Sequence, residues 1–445
     1  MIPLPRHALV LGFRRTGQAV ARALVRRGVA VRVADDQPAA ALGIDPAAWA
    51  DVELRLGEDG PALLDGVDVV VPSPGVPRTV PVLAAAVARG VPVRSEIEVA
   101  FGLLDCPVVA ITGTNGKSTT TTLVGAALAG DGRRIFTGGN LGTPLITAVD
   151  AHPEMAVAEV SSFQLEWVER FRPRVAALLN VTPDHLDRHA SFEEYRDLKA
   201  RIFAAQEPGD VAVVNRDDPE AWRAAAGIRA RVVPFATTTL AEGACACGDG
   251  VALRLPGTAE ERYDLGRTQL LGQHNLENIT AAVAVARLAG ASPAAVQQAI
   301  DTTAPLPHRL ALVADRAGIR WVDDSKATNV GATVKSLASF AGDVLLLAGG
   351  VDKGGSYDTL VAAARGKVRV ALLFGAAAER MGTALAAGGV PVERVPTLDS
   401  AVRAAARSAR PGDTVLLAPA CASFDQFADY AARGRAFRAA VEALA

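Results

Sequence analysis

A chain of 445 residues exceeds what one hydrophobic core can organise, so two or three domains are expected. Half of the residues are apolar and the formal net charge is only −2, which argues against a surface built for nucleic acid or anionic lipid. Four scattered cysteines, Cys106, Cys245, Cys247 and Cys421, lack C-x-x-C spacing, which argues against a disulfide framework or zinc site and fits a reducing compartment.

The opening MIPLPRHALVLGFRR has too short an apolar stretch for a secretory signal, and no run of 18 apolar residues follows. A soluble, cytoplasmic protein is therefore expected. Ala8–Leu11 and Val29–Val33 read as strands around a helix over Gln18–Arg27, and Val67–Val71 as a further strand ending in Pro72-Ser-Pro-Gly75. This is the βαβ rhythm of a parallel sheet. The turn from Gly12 to Gly17, with Asp35 after the next strand, approximates a dinucleotide fingerprint in which Arg14 replaces the second glycine. A side chain there obstructs close approach of a pyrophosphate, which argues against NAD. A nucleotide diphosphate paired with Arg14 or Arg15 remains compatible.

A second module begins near Asp105-Cys106-Pro107, with strands at Val108–Ile111, Met155–Val160 and Val175–Val181. Between the first two lies TGTNGKSTT, preceded by Ile111, which stands where the Walker pattern has its first glycine. Gly113 and Gly116 still let the backbone turn its N–H groups toward phosphate oxygens. Lys117 adds a cation, Ser118 or Thr119 can reach magnesium, and the helix Thr119–Leu128 adds its dipole. Strand, loop, Gly-Lys-Ser and helix in this order point to nucleotide binding rather than to an ordinary turn.

Glu159 closes the strand Met155–Val160 beside this loop, placed either to hold magnesium or simply to face water. His185, in TPDHLDRH past the next strand, could approach the same ion, with Asp184 and Asp187 as competing ligands and a plain surface histidine as the alternative. Ser191 and Glu194 form a capping box that starts a helix at Phe192. Phe192, Tyr195, Leu198, Ile202 and Phe203 make one apolar stripe, and Lys199 falls inside it. A lysine there either snorkels to the edge or serves a site near the phosphates. Residues 231–270 read as hairpins or irregular strands, followed by a helix from about Glu277 to Leu288.

The Pro-rich segment 304–309 reads as a linker. Beyond it, strands at Ile319–Val322, Val344–Ala348, Val370–Phe374 and Val415–Ala418 alternate with helices. Three of these strands run into polar loops, 323–329, 349–353 and 419–427. Lys326, Thr328, Lys353 and Ser423 on them suit a small substrate bearing carboxylates, although Ser423 could instead cap a helix.

At this point the chain resembles the Mur ligases. TGTNGKSTT at 112–120, GQHNLENITAA at 272–282 and PHR at 307–309 are similar to signatures shared across that family. EVSSFQLE at 159–166, NVTPDHLDRH at 180–189, DDSKATN at 323–329 and PACASFDQF at 419–427 resemble its D-glutamate-adding branch. The resemblance implies an α/β protein of three domains: a Rossmann-like UDP-substrate domain at 1–104, a P-loop ATPase-like domain at 105–304 and a Rossmann-like amino-acid domain at 305–445. It implies an ATP-dependent ligase, cytoplasmic and monomeric, that adds D-glutamate to UDP-N-acetylmuramoyl-L-alanine through an acyl phosphate.

The resemblance also assigns residues. Gly113, Thr114, Asn115, Gly116, Lys117, Ser118 and Thr119 would bind ATP, with Asn275 and Asn278 on its adenine side and Arg309 and Asp324 on the remainder. Glu159, His185 and Lys199, with Ser118, would hold two magnesium ions, Lys199 as a carbamate, and Lys117 would act with them in catalysis. Arg15, Thr16, Asp35, Asp36, Ser73, Gly75 and Asn140 would hold the UDP-sugar. Lys326, Thr328, Lys353, Ser423 and Phe424 would hold D-glutamate. Arg14 and Arg15 depart from many relatives. An ATPase or kinase without ligation, and a nicotinamide dehydrogenase, are the competing readings.

Overall fold

The computed structural model describes residues 4–444 except Asp187 and Leu271. The chain forms an α/β structure with three sheets, as expected, arranged in two compact units. The first comprises Met1–Val181, Arg196–Thr268 and Leu276–Thr303; the second comprises Thr182–Tyr195, Gln269–Asn275 and Ala304–Ala445.

In the first unit, β1 (His7–Leu11), β2 (Ala30–Asp35), β3 (Glu53–Leu56) and β4 (Val69–Pro72) form a parallel sheet in the order β3-β2-β1-β4. The strands are short Val- and Leu-rich runs, and Leu9, Val10, Val33 and Val70 are fully buried. The first helix spans Arg15–Val25, three residues earlier than the sequence suggests. Gly17 explains the early start: a Cβ there would lie 1.9 Å from the Gly12 carbonyl oxygen, so only glycine lets the helix press against the loop.

The second sheet of this unit has nine strands. They are β5 (Val108–Thr112), β6 (Ile135–Gly139), β7 (Met155–Glu159), β8 (Val175–Leu178), β9 (Val211–Asn215), β10 (Arg231–Ala236), β11 (Gly243–Cys247), β12 (Gly250–Arg254) and β13 (Glu261–Asp264). Their order is β13-β12-β11-β10-β9-β8-β5-β7-β6, parallel from β6 to β11 and antiparallel beyond, so within residues 231–270 β11, β12 and β13 form hairpins while β10 joins the parallel part. β8 ends three residues before the expected Val181. Its continuation turns to other partners: the Asn180 carbonyl accepts from Thr114 N–H at 2.9 Å, and Val181 N–H donates to Asp218. The helix Gln273–Leu288 begins four residues ahead of Glu277.

The helix Glu96–Leu103 fastens the first sheet's module to the second. The Glu98 carboxylate accepts from three successive backbone N–H groups, those of Glu169, Arg170 and Phe171, at 2.9–3.1 Å. Glu96 accepts from Ile146 N–H at 2.6 Å.

The second unit carries β14 (Ala311–Arg316), β15 (Ile319–Asp323), β16 (Val344–Gly349), β17 (Val368–Phe374), β18 (Val392–Arg394) and β19 (Thr414–Leu417), in the order β14-β15-β19-β16-β17-β18. Only β14 is antiparallel to its neighbour. Leu345, Leu346 and Leu347 are all fully buried, the mark of a central strand covered on both faces. Among the described residues no helix is long and apolar enough to cross a membrane.

Candidate functional site

In parallel sheets ligands collect at the carboxyl ends of strands where the order reverses. The first sheet reverses at β1, which lies between β2 and β4. There the Gly12–Thr16 turn faces Ser73 and Gly75, and Ser73 Oγ donates to the Gly12 carbonyl at 2.8 Å. These loops open onto a cleft of about 710 Å³. Arg15, Thr16, Asp35 and Asp36 line it on one side, and Ser73, Gly75 and Asn140 elsewhere. Arg14 and Arg15 are both exposed at its rim, so neither side chain fills the turn. The Asp35 carboxylate also braces the turn, accepting from Phe13 N–H at 2.6 Å and Gln37 N–H at 2.9 Å.

The second sheet reverses at β5, between β7 and β8, where the phosphate-loop sequence sits. Gly113 and Gly116 have φ of 155° and 86°, in the region that favours glycine. A Cβ on Gly116 would lie 2.1 Å from Asn278 Oδ1, so this asparagine of the 273–288 helix packs against the loop. Asn180 shapes the loop further, its Oδ1 accepting from Asn115 N–H at 2.8 Å. Lys117 Nζ lies over the loop and donates to the carbonyls of Gly113 at 2.7 Å and Thr114 at 2.9 Å. Ser118 and Thr119, the next residues of the helix Lys117–Ala129, are buried.

Lys199 does not snorkel. It is 1% exposed and its Nζ donates to the Gly113 carbonyl at 2.9 Å, which brings it from the 192–200 helix to the phosphate loop. Glu159 is also buried rather than facing water. Asn140 Nδ2 donates to its Oε1 at 2.7 Å, while Oε2 is buried without a hydrogen-bond partner. Such an orphaned carboxylate oxygen suits a cation. Among the described residues no three His, Cys, Asp or Glu side chains cluster as a metal site. Glu159 would need help from a hydroxyl such as that of Ser118 or from a modified Lys199.

His185 belongs to the second unit, where it has φ of 56° and its Nε2 lies 3.7 Å from Asp184 Oδ2. Asp187 lies outside the described residues. Asp184 is buried, with Lys353 Nζ at 2.9 Å and Asn329 Nδ2 at 2.8 Å. Burial alone would raise its pKa, but the charges of Lys353 and His185 and the hydrogen bonds outweigh that and hold it below the usual carboxylate value.

The remaining predicted nucleotide contacts, Asn275, Arg309 and Asp324, also fall in the second unit. Burial pushes the Asp324 carboxyl up to about 6, against a hydrogen bond from Ser336 Oγ and the charge of Arg309. Burial, with Lys335 and Arg309 nearby, pushes His274 down to about 4, so it is neutral at pH 7.

The loops after β15, β16 and β19 carry the predicted amino-acid contacts. Lys326 Nζ sits 4.0 Å from the Tyr430 ring centroid. Phe424 is 73% exposed and Ser423 buried. Ser423 does not cap a helix. The helix Tyr430–Glu442 is capped by Asp429, whose side chain accepts from Ala432 N–H. The expected linker ends against that helix, where His308 Nδ1 meets Asp323 Oδ2 at 2.6 Å and a Cβ on Gly434 would strike the imidazole at 2.1 Å.

Asn180, Glu277 and Asn329 were not singled out from sequence. Asn180 lies inside the NVTPDHLDRH stretch, so its position just past a strand end was the available signal. Glu277 binds Asn215 Nδ2 through Oε1 at 2.9 Å, a contact no local pattern encodes.

Family models match most of the chain: the Mur ligase MurD-like N-terminal domain over residues 6–95, the Mur ligase middle domain over 111–286 and the Mur ligase glutamate ligase domain over 308–421. The chain is 47% identical over 445 residues to the UDP-N-acetylmuramoylalanine--D-glutamate ligase of Geobacter metallireducens, covering 99% of this chain and 98% of that protein. It is 44% identical to the protein of the same name from Syntrophus aciditrophicus, covering 98% of each. The fold is similar to a pseudomurein peptide ligase type C from Methanothermus fervidus, with a TM-score of 0.64 at 18% identity, covering 99% of this chain and 100% of that one. It is also similar to the UDP-N-acetylmuramate-alanine ligase MurC of Thermotoga maritima, with a TM-score of 0.59 at 17% identity, covering 97% and 98%. The cleft, the phosphate loop and the three polar loops are thus those of a chain that belongs to the Mur ligase family.

Proposed function

We propose that the protein joins D-glutamate to UDP-N-acetylmuramoyl-L-alanine, converting ATP to ADP and phosphate. The observation that carries this reading is the link between cleft and phosphate loop. Asn140 lines the cleft and its amide holds Glu159 at the carboxyl end of β7, next to the strand that feeds the loop. An acid anchored through a UDP group in the cleft would therefore present its carboxylate toward bound nucleotide. Arg15, Thr16, Asp35, Asp36, Ser73 and Gly75 are proposed to hold the UDP-sugar with Asn140. Lys326, Thr328, Lys353, Ser423 and Phe424 are proposed to receive D-glutamate.

In the chemistry proposed, the alanyl carboxylate oxygen attacks the γ-phosphorus and ADP departs. The D-glutamate amine then attacks the acyl carbon, loses a proton, and phosphate leaves as the amide forms. Lys117, already over the loop, would offset charge developing on the transferred phosphoryl group. Asn275 and Asn278 are assigned to the adenine side, and Arg309 and Asp324 to the remainder of the nucleotide. Glu159, His185 and Lys199, with Ser118, are assigned to magnesium, Lys199 as an N-carboxylated anion. Bound magnesium would neutralise phosphate charge. Domains at 1–104, 105–304 and 305–445, a monomeric state and a cytoplasmic location complete the proposal.

Purified protein should release phosphate from ATP only when both the UDP-muramoyl-alanine acid and D-glutamate are present, with the amide detected by mass. Phosphate release that ignores either partner would return the reading to a simple ATPase.

A further inference from the structure

Among the described residues Arg433 is the largest fully buried side chain, with 0% exposure, and it lies on the helix Tyr430–Glu442, which carries no residue assigned to substrate. Its guanidinium is spread over the starts of three loops. Nη2 donates to the Ser325 carbonyl at 2.9 Å and Nε to Ser325 Oγ at 3.0 Å. Nη1 donates to the Cys421 carbonyl at 3.1 Å and more weakly to that of Gly349 at 3.4 Å. These carbonyls stand at the carboxyl ends of β15, β19 and β16, three adjacent strands of the sheet.

Among the described residues no carboxylate hydrogen-bonds Arg433. Burial accordingly pushes it down to about 10. A buried cation hydrogen-bonded to carbonyls and one hydroxyl, with Asp323 and Asp425 acting on it only through their charge, is an expensive way to fill a core, since apolar packing serves stability as well or better. What a guanidinium offers instead is a rigid fork that addresses several acceptors at once. The surroundings are shaped to admit it. A Cβ on Gly350 would sit 2.1 Å from the Ala422 carbonyl and 3.2 Å from Arg433 Nη1. Val351 and Ala422 exchange backbone hydrogen bonds at 2.8 and 3.0 Å, locking two of the loops side by side.

Each fixed point lies a few residues before a side chain assigned to the incoming amino acid. Ser325 precedes Lys326 and Thr328, Gly349 precedes Lys353, and Cys421 precedes Ser423. We propose that Arg433 is a positioning residue for amino-acid recognition, setting the spacing of the three loops that carry Lys326, Lys353 and Ser423. The inference rests on the assignment of those loops to D-glutamate.

The test uses full-length Arg433→Lys and Arg433→Gln, with KM measured separately for D-glutamate, ATP and the UDP-muramoyl-alanine acid, beside thermal midpoints. A misplaced loop should raise the D-glutamate KM by about tenfold or more in Arg433→Gln and by less in Arg433→Lys, leaving the other two within about twofold. A lowered thermal midpoint with an unmoved D-glutamate KM, or a parallel rise of all three constants, would overturn the proposal. If neither variant folds, Ser325→Ala removes one anchor only, and it too should raise the D-glutamate KM selectively; no selective rise overturns the proposal. Lys353→Met is measured alongside. If it leaves the D-glutamate KM unmoved, the loop assignment falls and this inference with it. If it raises that KM while the Arg433 variants do not, the positioning role alone falls.

Discussion

Lys199 Nζ lies 2.9 Å from the Gly113 carbonyl oxygen, a hydrogen bond that spans 86 residues and pins a buried lysine to the phosphate loop. Lys199→Ala should cut kcat by about 100-fold or more, since it removes both a loop anchor and a proposed metal ligand. A short carboxylic acid or bicarbonate added to that variant should restore part of the rate. Steady-state phosphate release checks both, and full activity without rescue would remove Lys199 from the site.

Glu96 supplies a pH-dependent contribution. Burial pushes its carboxyl up to about 7 against hydrogen bonds from Ile146 N–H and Gln164. The folded value thus lies above the ordinary 4.5, so the folded state binds the proton more tightly than the unfolded chain does. Its contribution is fully present below the ordinary value and is lost as pH rises through about 7. The loss is about 1.4 kcal/mol for each pH unit in that window. Denaturant midpoints should fall across it, and Glu96→Gln should flatten the fall.

Gly17→Ala should lower stability by about 1–3 kcal/mol, because its methyl would collide with the Gly12 carbonyl. Pushing the helix from the turn also reshapes the cleft. Binding of the UDP-linked acid, followed by calorimetry, should weaken more than ATP binding does.

Lys353 and Asp184 form an ion pair at 2.9 Å whose carboxylate is buried and whose ammonium is partly so. Lys353→Met leaves the Asp184 carboxylate without its closest cation, so the variant should lose about 3 kcal/mol or more of stability. Its D-glutamate KM should rise as well. Lys353→Arg keeps the charge but not the compact ammonium, and should recover stability more than affinity. Thermal scans read the first effect and kinetics the second.

The parts of the fold written in local patterns were legible. Val-rich runs gave most of the strands of all three sheets, and Gly-Lys-Ser after a strand gave the phosphate loop. The 3.6-residue stripe from Phe192 to Phe203 correctly placed Lys199 inside, although the pattern alone left snorkelling open. β3, β6, β9, β14 and β18 were passed over: all are short, and although VAVVN of β9 is apolar and buried, ALVADR of β14 is only partly buried and pairs antiparallel at the sheet's edge. Asn180 was marked only by its place just past a strand end, while Glu277 and Arg433 act through partners far along the chain, so nothing in their own neighbourhoods announces them. The same holds for the way residues 182–195 and 269–275 join the second unit instead of the first.

Two acids on one short helix, Glu96 and Glu98, grip four backbone amides of the neighbouring module. Severing the polypeptide at Asp105 should therefore leave two fragments that stay clasped and co-purify. The acceptor's berth and the fuel's berth would still travel together, as a tool and its handle do.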